Sequence, residues 1–363
     1  MLRIVVAILN YNGVKLLGST LFDCIKSALQ LNINYPNLDV IVIDNNSTDD
    51  SPKIIEDIFG KDVFLIRLNK NYGYAGGIEF GIRCYIKLKG YPDYVLVMNN
   101  DFIIKNSEFL NEMIKFSEKW NDIILVQGIN LKYDNKHVDN AGCFLLAHGP
   151  MPLLRYRDAS LREYPETPSY VSFVSGTCFL AKYRPIISLR GYFFNSKLFS
   201  HWEDCELSLS LWSYGFKSIA LPIPVGIHIG SMSFKKFASL GNYTGLRNRE
   251  LIDKHYILRV LPSIRVKNLI NRFTTLSYKS LQGYKGKIFA RALIDGLRLY
   301  IDLNRGLCNP LIMIPREWKY HFNTILPDAL LYKILEKSIT RIKFMSVNKD
   351  MLKDSPRPFI IYI

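Results

Sequence analysis

The sequence predicts an α/β fold, a mostly parallel sheet with helices on its faces. Short β-branched runs alternate with amphipathic or turn-rich stretches through the first half of the chain. The runs are near-continuously apolar, as strands covered on both faces must be. Four of them end in strings of Asn, Asp, Ser and Gly, and in open α/β sheets ligands sit beyond the carboxyl ends of strands.

Strands are predicted over residues 3–9, 39–44, 63–68, 94–98 and 123–127. The first holds one Arg and a short apolar run, and Asn10, Tyr11 and Asn12 follow where a leader peptide would place small residues, so it reads as a strand. Helices are predicted over 16–31, 51–59, 76–89 and 107–120, with Ser51-Pro52 and Asn106-Ser107 as start signals. Past residue 128 the pattern loosens, and Pro150, Pro152, Pro165 and Pro168 in a charged stretch predict a mobile loop over one sheet edge. Order is expected again over 171–181. From about residue 255 helical periodicity resumes, with Lys287, Arg291, Asp295, Arg298 and Asp302 at helical spacing. The expected organisation is a domain over 1–250, with halves about 1–128 and 129–250, then a basic helical region over 251–363; the boundary falls within 245–262.

A chain of 363 residues suits one large domain plus an appendage. Hydrophobic residues at 48% exclude a disordered polymer. The six cysteines never occur as CxxC, which indicates neither a zinc cage nor a disulfide framework and fits a reducing compartment. The stretch 218–234 lacks charge but is broken by Pro222 and Pro224, so no run is long and apolar enough to span a bilayer. The net charge of +15 is uneven: residues 1–250 carry 27 Lys and Arg against 24 Asp and Glu, and residues 251–363 carry 20 against 8. A basic tail on a nearly neutral body predicts contact with a polyanion, an anionic leaflet or nucleic acid.

The polar strings are Asn10-Tyr11-Asn12-Gly13, Asp44-Asn45-Asn46-Ser47-Thr48-Asp49, Asn69-Lys70-Asn71-Tyr72-Gly73 and Asn99-Asn100-Asp101. Each alone is also ordinary turn and cap chemistry. Together, in this order, they resemble the inverting family 2 glycosyltransferases of the GT-A fold, in particular the rhamnosyltransferase-like branch, across roughly residues 1–250.

The resemblance implies a nucleotide-sugar site made of Leu9, Asn10, Tyr11, Asn12, Asp44, Asn45, Ser47, Asn71, Gly73, Tyr74, Ala75, Gly76, Asn99, Asn100 and Asp101. Asp44 and Asn45 would lie against base and ribose; Asn45 stands where a second acid is commoner, which leaves the base open. The glycine-rich 71–77 segment would line the donor pocket, where absent side chains let amides approach phosphate or sugar. Asn99-Asn100-Asp101 looks like a reduced DxD motif, with Asp101 as the carboxylate for Mg2+ or Mn2+. His228 stands where related enzymes carry a His that reaches metal or diphosphate, and it reads equally as a satisfied core residue.

In Phe199-Ser200-His201-Trp202-Glu203-Asp204-Cys205-Glu206-Leu207, Asp204 matches the family's general base, with Glu203 beside it. A carboxylate takes the proton of an acceptor hydroxyl as that hydroxyl attacks the anomeric carbon, and a single displacement inverts it. The same acids also suit a charge-capped helix start. Gly176, Thr177, Trp202 and Glu206 are expected on the acceptor side. Arg247 and Arg249 match a basic stretch that contacts phosphate, or else begin a solvated helix.

The expected activity is transfer of a sugar from a nucleoside-diphosphate sugar to a hydroxyl of a lipid-linked glycan, in the cytoplasm and peripheral on the cytoplasmic face of a membrane. The basic tail would meet anionic lipid or cap the catalytic domain. No recognition motif accompanies its charge, which speaks against nucleic acid. The alternative is a catalytically silent nucleotide-sugar or glycan-binding module of the same fold, favoured by Asn45 and Asn100.

Overall fold

The structure is a computed structural model that describes residues 2–146, 151–154, 156–164, 167–230, 238–257, 283–298, 312–314 and 360–362. Strand β1 (Ile4–Asn10) leads into α1 (Gly13–Leu17) and α2 (Ser19–Leu29), then β2 (Leu38–Asp44), α3 (Ser51–Phe59) and β3 (Phe64–Arg67). Helix α4 (Gly73–Lys89), β4 (Tyr94–Asn99), β5 (Phe102–Ile104), α5 (Phe109–Glu118) and β6 (Ile123–Lys132) follow. The second half holds β7 (Val138–Asn140), β8 (Cys143–Leu146), β9 (Met151–Leu154), β10 (Ser169–Val171), β11 (Cys178–Lys182), α6 (Tyr183–Arg190), α7 (Glu203–Ser213) and β12 (Lys217–His228). Last come α8 (Ala238–Ile252), α9 (Gly283–Arg298), β13 (Ile312–Ile314) and β14 (Ile360–Tyr362).

The main sheet runs β10-β12-β6-β11-β4-β1-β2-β3, with β5 on β12 and β7 on β6. Strands β4, β1, β2 and β3 are parallel, whereas β11 runs antiparallel to both β4 and β6. Both faces are covered, as the apolar runs predict. In β1, Val5, Ala7 and Leu9 join the core cluster that contains Ile78, Ile82 and Tyr85 of α4. Ile4, Val6 and Ile8 join the opposite cluster with Leu21 and Ile25 of α2, Ile55 of α3 and Leu110 of α5. Each such buried side chain contributes about 1.5–3 kcal/mol, which rigidly seats the strand ends that carry the polar strings.

Several expectations are corrected. The helix predicted over 16–31 is broken at Gly18, whose φ of 57° and ψ of −129° no helix accommodates. Helix α4 starts at Gly73, three residues before the predicted position. Strand β12 was not predicted as a strand, because Pro222 and Pro224 interrupt its pattern; the register with β6 shifts at Pro224, so the prolines sit at irregularities. The predicted mobile loop contains an ordered part: Tyr156 and Tyr164 are buried with ring centroids 4.9 Å apart, over Ile129, Leu131 and Val138. Near the expected domain boundary, α8 runs through residue 250 and continues as a turn of π-helix to Ile257. The region expected to be helical also contributes β13 and β14, which pair in parallel and reach β8. Asp302, the last residue of the predicted amphipathic pattern, lies outside the described residues, as does most of the basic tail. No helix among the described residues is long and apolar enough to cross a membrane.

Candidate active site

A cleft of about 250 Å³ opens at the carboxyl ends of β1, β2 and β4. Leu9, Tyr11, Asn45, Asn71, Gly73, Tyr74, Asn99, Asn100 and Asp101 line one side, as the strand-end reading predicts. Phe199, Ser200, Leu240, Gly241 and Thr244 complete it. The first two lie in the quoted motif around Asp204 without having been assigned to the site. The last three belong to α8, and no local signal in the sequence marks them.

The floor is a hydrogen-bonded weave of residues leaving β1 and β2. Asn10 Nδ2 donates to Asp44 Oδ1 (3.2 Å) and Ser47 Oγ (3.3 Å), and Asn12 N donates to the same Ser47 Oγ (2.8 Å). Asn12 Oδ1 accepts from Thr48 N at 2.7 Å, and Ser47 N donates to Asp44 Oδ2 at 3.1 Å. Asn10, Asn12, Asp44 and Ser47 therefore sit beneath or beside the cleft and shape it; they are not among its lining residues. Asn45 both lines the cleft and is internally committed. Its Nδ2 donates to Asn71 Oδ1 and Gly73 O, both at 3.0 Å, while its Oδ1 accepts from Tyr72 N at 3.0 Å. Only an amide does both jobs, which is a physical reason for Asn where the related pattern has an acid.

Glycine at 73 is a backbone requirement. Its φ is +72°, and a Cβ there would come within 2.2 Å of Phe199 O. At 77 the reason is packing, since a Cβ would meet Leu9 Cδ1 at 2.5 Å as α4 lies on the sheet. Ala75 and Gly76 are buried within α4 and do not line the cleft. The glycine-rich segment thus serves close helix–strand approach at least as much as ligand approach.

The opposite wall is strained. Phe199 (φ 64°), His201 (φ 70°) and Trp202 (φ 69°) all occupy left-handed backbone, each at a cost of about 1–3 kcal/mol. Phe199 O accepts from Ala75 N at 2.9 Å, which fastens this loop to the start of α4. The loop delivers α7, whose first turn holds Glu203, Asp204 and Glu206.

Asp204 does not line the cleft directly. Its Oδ2 accepts from Gly176 N and its Oδ1 from Cys205 N, both at 2.7 Å. Gly176 O in turn accepts from the hydroxyl of Tyr74 at 3.0 Å, and Tyr74 does line the cleft. Burial pushes the Tyr74 phenol up, and the nearby carboxylates of Glu203, Asp204 and Asp101 add to that shift. Burial raises the Asp204 carboxyl against the two amides that favour its charged form. Glu203 is 7% exposed, its Oε2 has no hydrogen-bond partner, and burial with the neighbouring Asp204 pushes it up to about 8. Thr177 is buried beneath Asn99, whose N donates to Thr177 O at 2.9 Å, and Trp202 is half-buried at the start of α7.

Glu206, expected on the acceptor side, faces the other way. It is fully buried, its Oε2 lies 2.5 Å from Arg190 Nη2, and Tyr256 Oη approaches its Oε1 at 3.4 Å. This is a core ion pair joining α6, α7 and the turn after α8. Arg247 donates from Nη2 to Lys197 O (3.1 Å) and Leu198 O (2.7 Å), so it holds a loop.

Asp101 and His228 are brought together because β5 pairs with the end of β12, His228 opposite Phe102. His228 Nε2 lies 3.4 Å from Asp101 Oδ1, and Nδ1 lies 2.9 Å from Asp139 Oδ2. Burial opposes charge on the imidazole, but the two flanking carboxylates prevail and push it up to about 10. Nε2 is buried without an aligned hydrogen-bond partner, so an orphaned nitrogen and a carboxylate oxygen face each other beside the cleft. That donor pair fits a divalent cation, which would displace the imidazolium proton. Among the described residues no group of three or more such side chains gathers into a cation site, so the protein would supply only part of the ligand shell.

Comparison with known proteins places the fold and the family. The sequence model of glycosyl transferase family 2 matches residues 5–189. An uncharacterized glycosyltransferase of Haemophilus influenzae is 30% identical over 120 residues, covering 32% of this chain and 43% of that protein. Two solved structures share the fold. One is GalNAc-T7 with UDP, GalNAc and Mn2+, with a TM-score of 0.51, 14% identity, 82% of this chain and 55% of that one covered. The other is S. aureus TarS, with a TM-score of 0.50, 14% identity and coverage of 94% and 54%. The chain thus spans about half the length of the relatives it matches. A match across half the sequence, which includes the strand ends that line one side of the cleft, assigns the chain to glycosyl transferase family 2, with the GT-A fold of a glycosyltransferase.

Proposed function

We propose that this protein transfers a sugar from a nucleoside-diphosphate sugar to an acceptor hydroxyl with inversion, Asp204 acting as general base. The observation that carries this reading is the relay Tyr74–Gly176–Asp204, which ties the carboxylate to the wall of a cleft that Asp101 borders. Two backbone amides orient Asp204, and burial raises its basicity toward the range in which a base works near neutral pH. The neighbouring Glu203, held protonated, lets Asp204 carry charge without a like charge beside it.

The donor would lie across Tyr11, Asn71 and Asn99–Asp101, with Phe199 and α8 closing over it. GalNAc-T7, whose fold this chain shares, was solved with UDP and Mn2+. In this chain Asp101 and His228 would hold a divalent cation, with diphosphate oxygens and water completing its shell. A bound cation supplies charge neutralisation for the departing diphosphate. Asp139 fixes the imidazole ring from its far side. We further propose a glycan acceptor, lipid-linked, with the basic region beyond 250 directing the protein to an anionic membrane surface.

The test is release of nucleoside diphosphate from a panel of nucleotide-sugars with Mn2+, for the wild type and Asp204→Asn. Turnover that the substitution abolishes supports the reading. Turnover that persists removes Asp204 as base, and nucleotide binding without any turnover supports the silent binding module instead. Membrane direction fails if anionic liposomes leave the protein in the supernatant.

A further inference from the structure

Asn248 lies on α8, 44 positions beyond Asp204, and is fully buried. Its Nδ2 sits within hydrogen-bonding distance of three backbone carbonyls at once: Leu198 O (2.9 Å), Ser200 O (2.9 Å) and His201 O (2.8 Å). Three surrounding acceptors leave one orientation for the amide, with NH2 toward the loop; its Oδ1 accepts from Arg247 Nε at 2.9 Å. Those carbonyls belong to the residues that immediately precede Phe199, His201 and Trp202, the three left-handed residues of the wall. Strained backbone persists only where its surroundings over-determine it, and here one side chain reaches every strained peptide. Trp202 is the N-cap of α7, so the loop sets where Glu203 and Asp204 begin.

We propose that Asn248 is the positioning residue of this site: it clamps the 198–202 loop in its left-handed path and so holds the start of α7, with Asp204, against the cleft. The role rests on the reading of Asp204 as base. Arg247 is a second, weaker grip on the same loop through Lys197 O and Leu198 O. From the other side Ala75 N holds Phe199 O, so the loop is pinned between α4 and α8. The family match ends at residue 189, so both the loop and its clamp lie beyond it.

The decisive pair is Asn248→Ala and Asn248→Asp in the full chain. Aspartate keeps the shape of asparagine but has no hydrogen to donate and turns carboxylate oxygens on three carbonyls. Both variants are expected to raise hydrogen exchange of the 199–204 amides while the sheet stays protected. Both are expected to lower kcat by about 100-fold, with the donor KM changed less than about threefold, because a misplaced base costs turnover more than ground-state binding. An aspartate variant with wild-type exchange and kcat would show that shape alone suffices and would overturn the clamp. Loss of protection throughout the sheet would make the role one of general stability and overturn it equally. Arg247→Ala is the milder arm: raised exchange at 197–199 with a several-fold lower kcat supports the clamp, and no change in either contradicts it. If the wild type itself shows no turnover, the reading of Asp204 falls, and the exchange data still decide whether Asn248 holds the loop.

Discussion

The two walls of the cleft are built by different means. On the β1–β2 side, the functional residues are the direct continuation of strands whose register already places Asn10 beside Asp44. Their hydrogen bonds, such as Asn10 to Asp44 and Asn12 to Thr48, join loops that the parallel ladder has brought side by side. On the α7 side, the wall is a left-handed loop whose geometry comes from a helix some forty residues later and from a buried ion pair behind it. The first wall follows largely from register; the second exists only when distant elements dock.

The largest effect is expected where that contrast meets chemistry. Asp204→Asn keeps the shape and can keep one of the two backbone amide contacts but removes the base, so kcat is expected to fall by about 100- to 10,000-fold in a chain that still folds. A residual rate within tenfold of the wild type would end the base assignment. Next is Glu206→Gln, which leaves the Arg190 guanidinium buried beside a neutral amide; a loss of about 3–5 kcal/mol in chemical unfolding is expected. Unchanged stability would mean that the second wall does not depend on the core pair. Asn45→Asp probes the first wall. It loses the donations to Asn71 and Gly73, a cost of about 1–3 kcal/mol for unsatisfied buried groups, with donor KM raised and kcat nearly kept. A fall confined to kcat would contradict the division between the walls.

The last test is a pH dependence. Glu203 ionises near its ordinary value of 4.5 when unfolded but near about 8 when folded. Between those values the native state holds the extra proton, so stability falls as pH rises from about 5 to about 8 and then levels. Glu203→Gln is expected to flatten that slope in melting temperature. Equal slopes for the variant and the wild type would show that Glu203 is not held protonated.

How much was legible follows the same division. The strings after β1, β2, β3 and β4 were readable because a buried strand is apolar until it leaves the sheet, and the first polar residues mark that exit. Tyr11, Asn71, Asn99 and Asp101 were found in the cleft on that logic. His228 was expected near the metal carboxylate Asp101 only through the family resemblance, since their meeting needs β5 and β12 to form a ladder that Pro222 and Pro224 obscure. Glu206 was grouped with the acceptor side because, at the head of α7, its neighbours in sequence are the acids proposed for the site, while its neighbour in space is Arg190.

Sequence alone determined the parallel part of the sheet, the polar rim and the kind of side chains that face it, because periodicity and turn chemistry are local properties of the chain. The tertiary structure decided which acid is tied to the cleft wall through Gly176, which is sealed in the core, and that α8 reaches back to the strained loop. Those choices depend on burial and on hydrogen bonds between residues far apart in sequence, and neither exists until the chain has closed on itself.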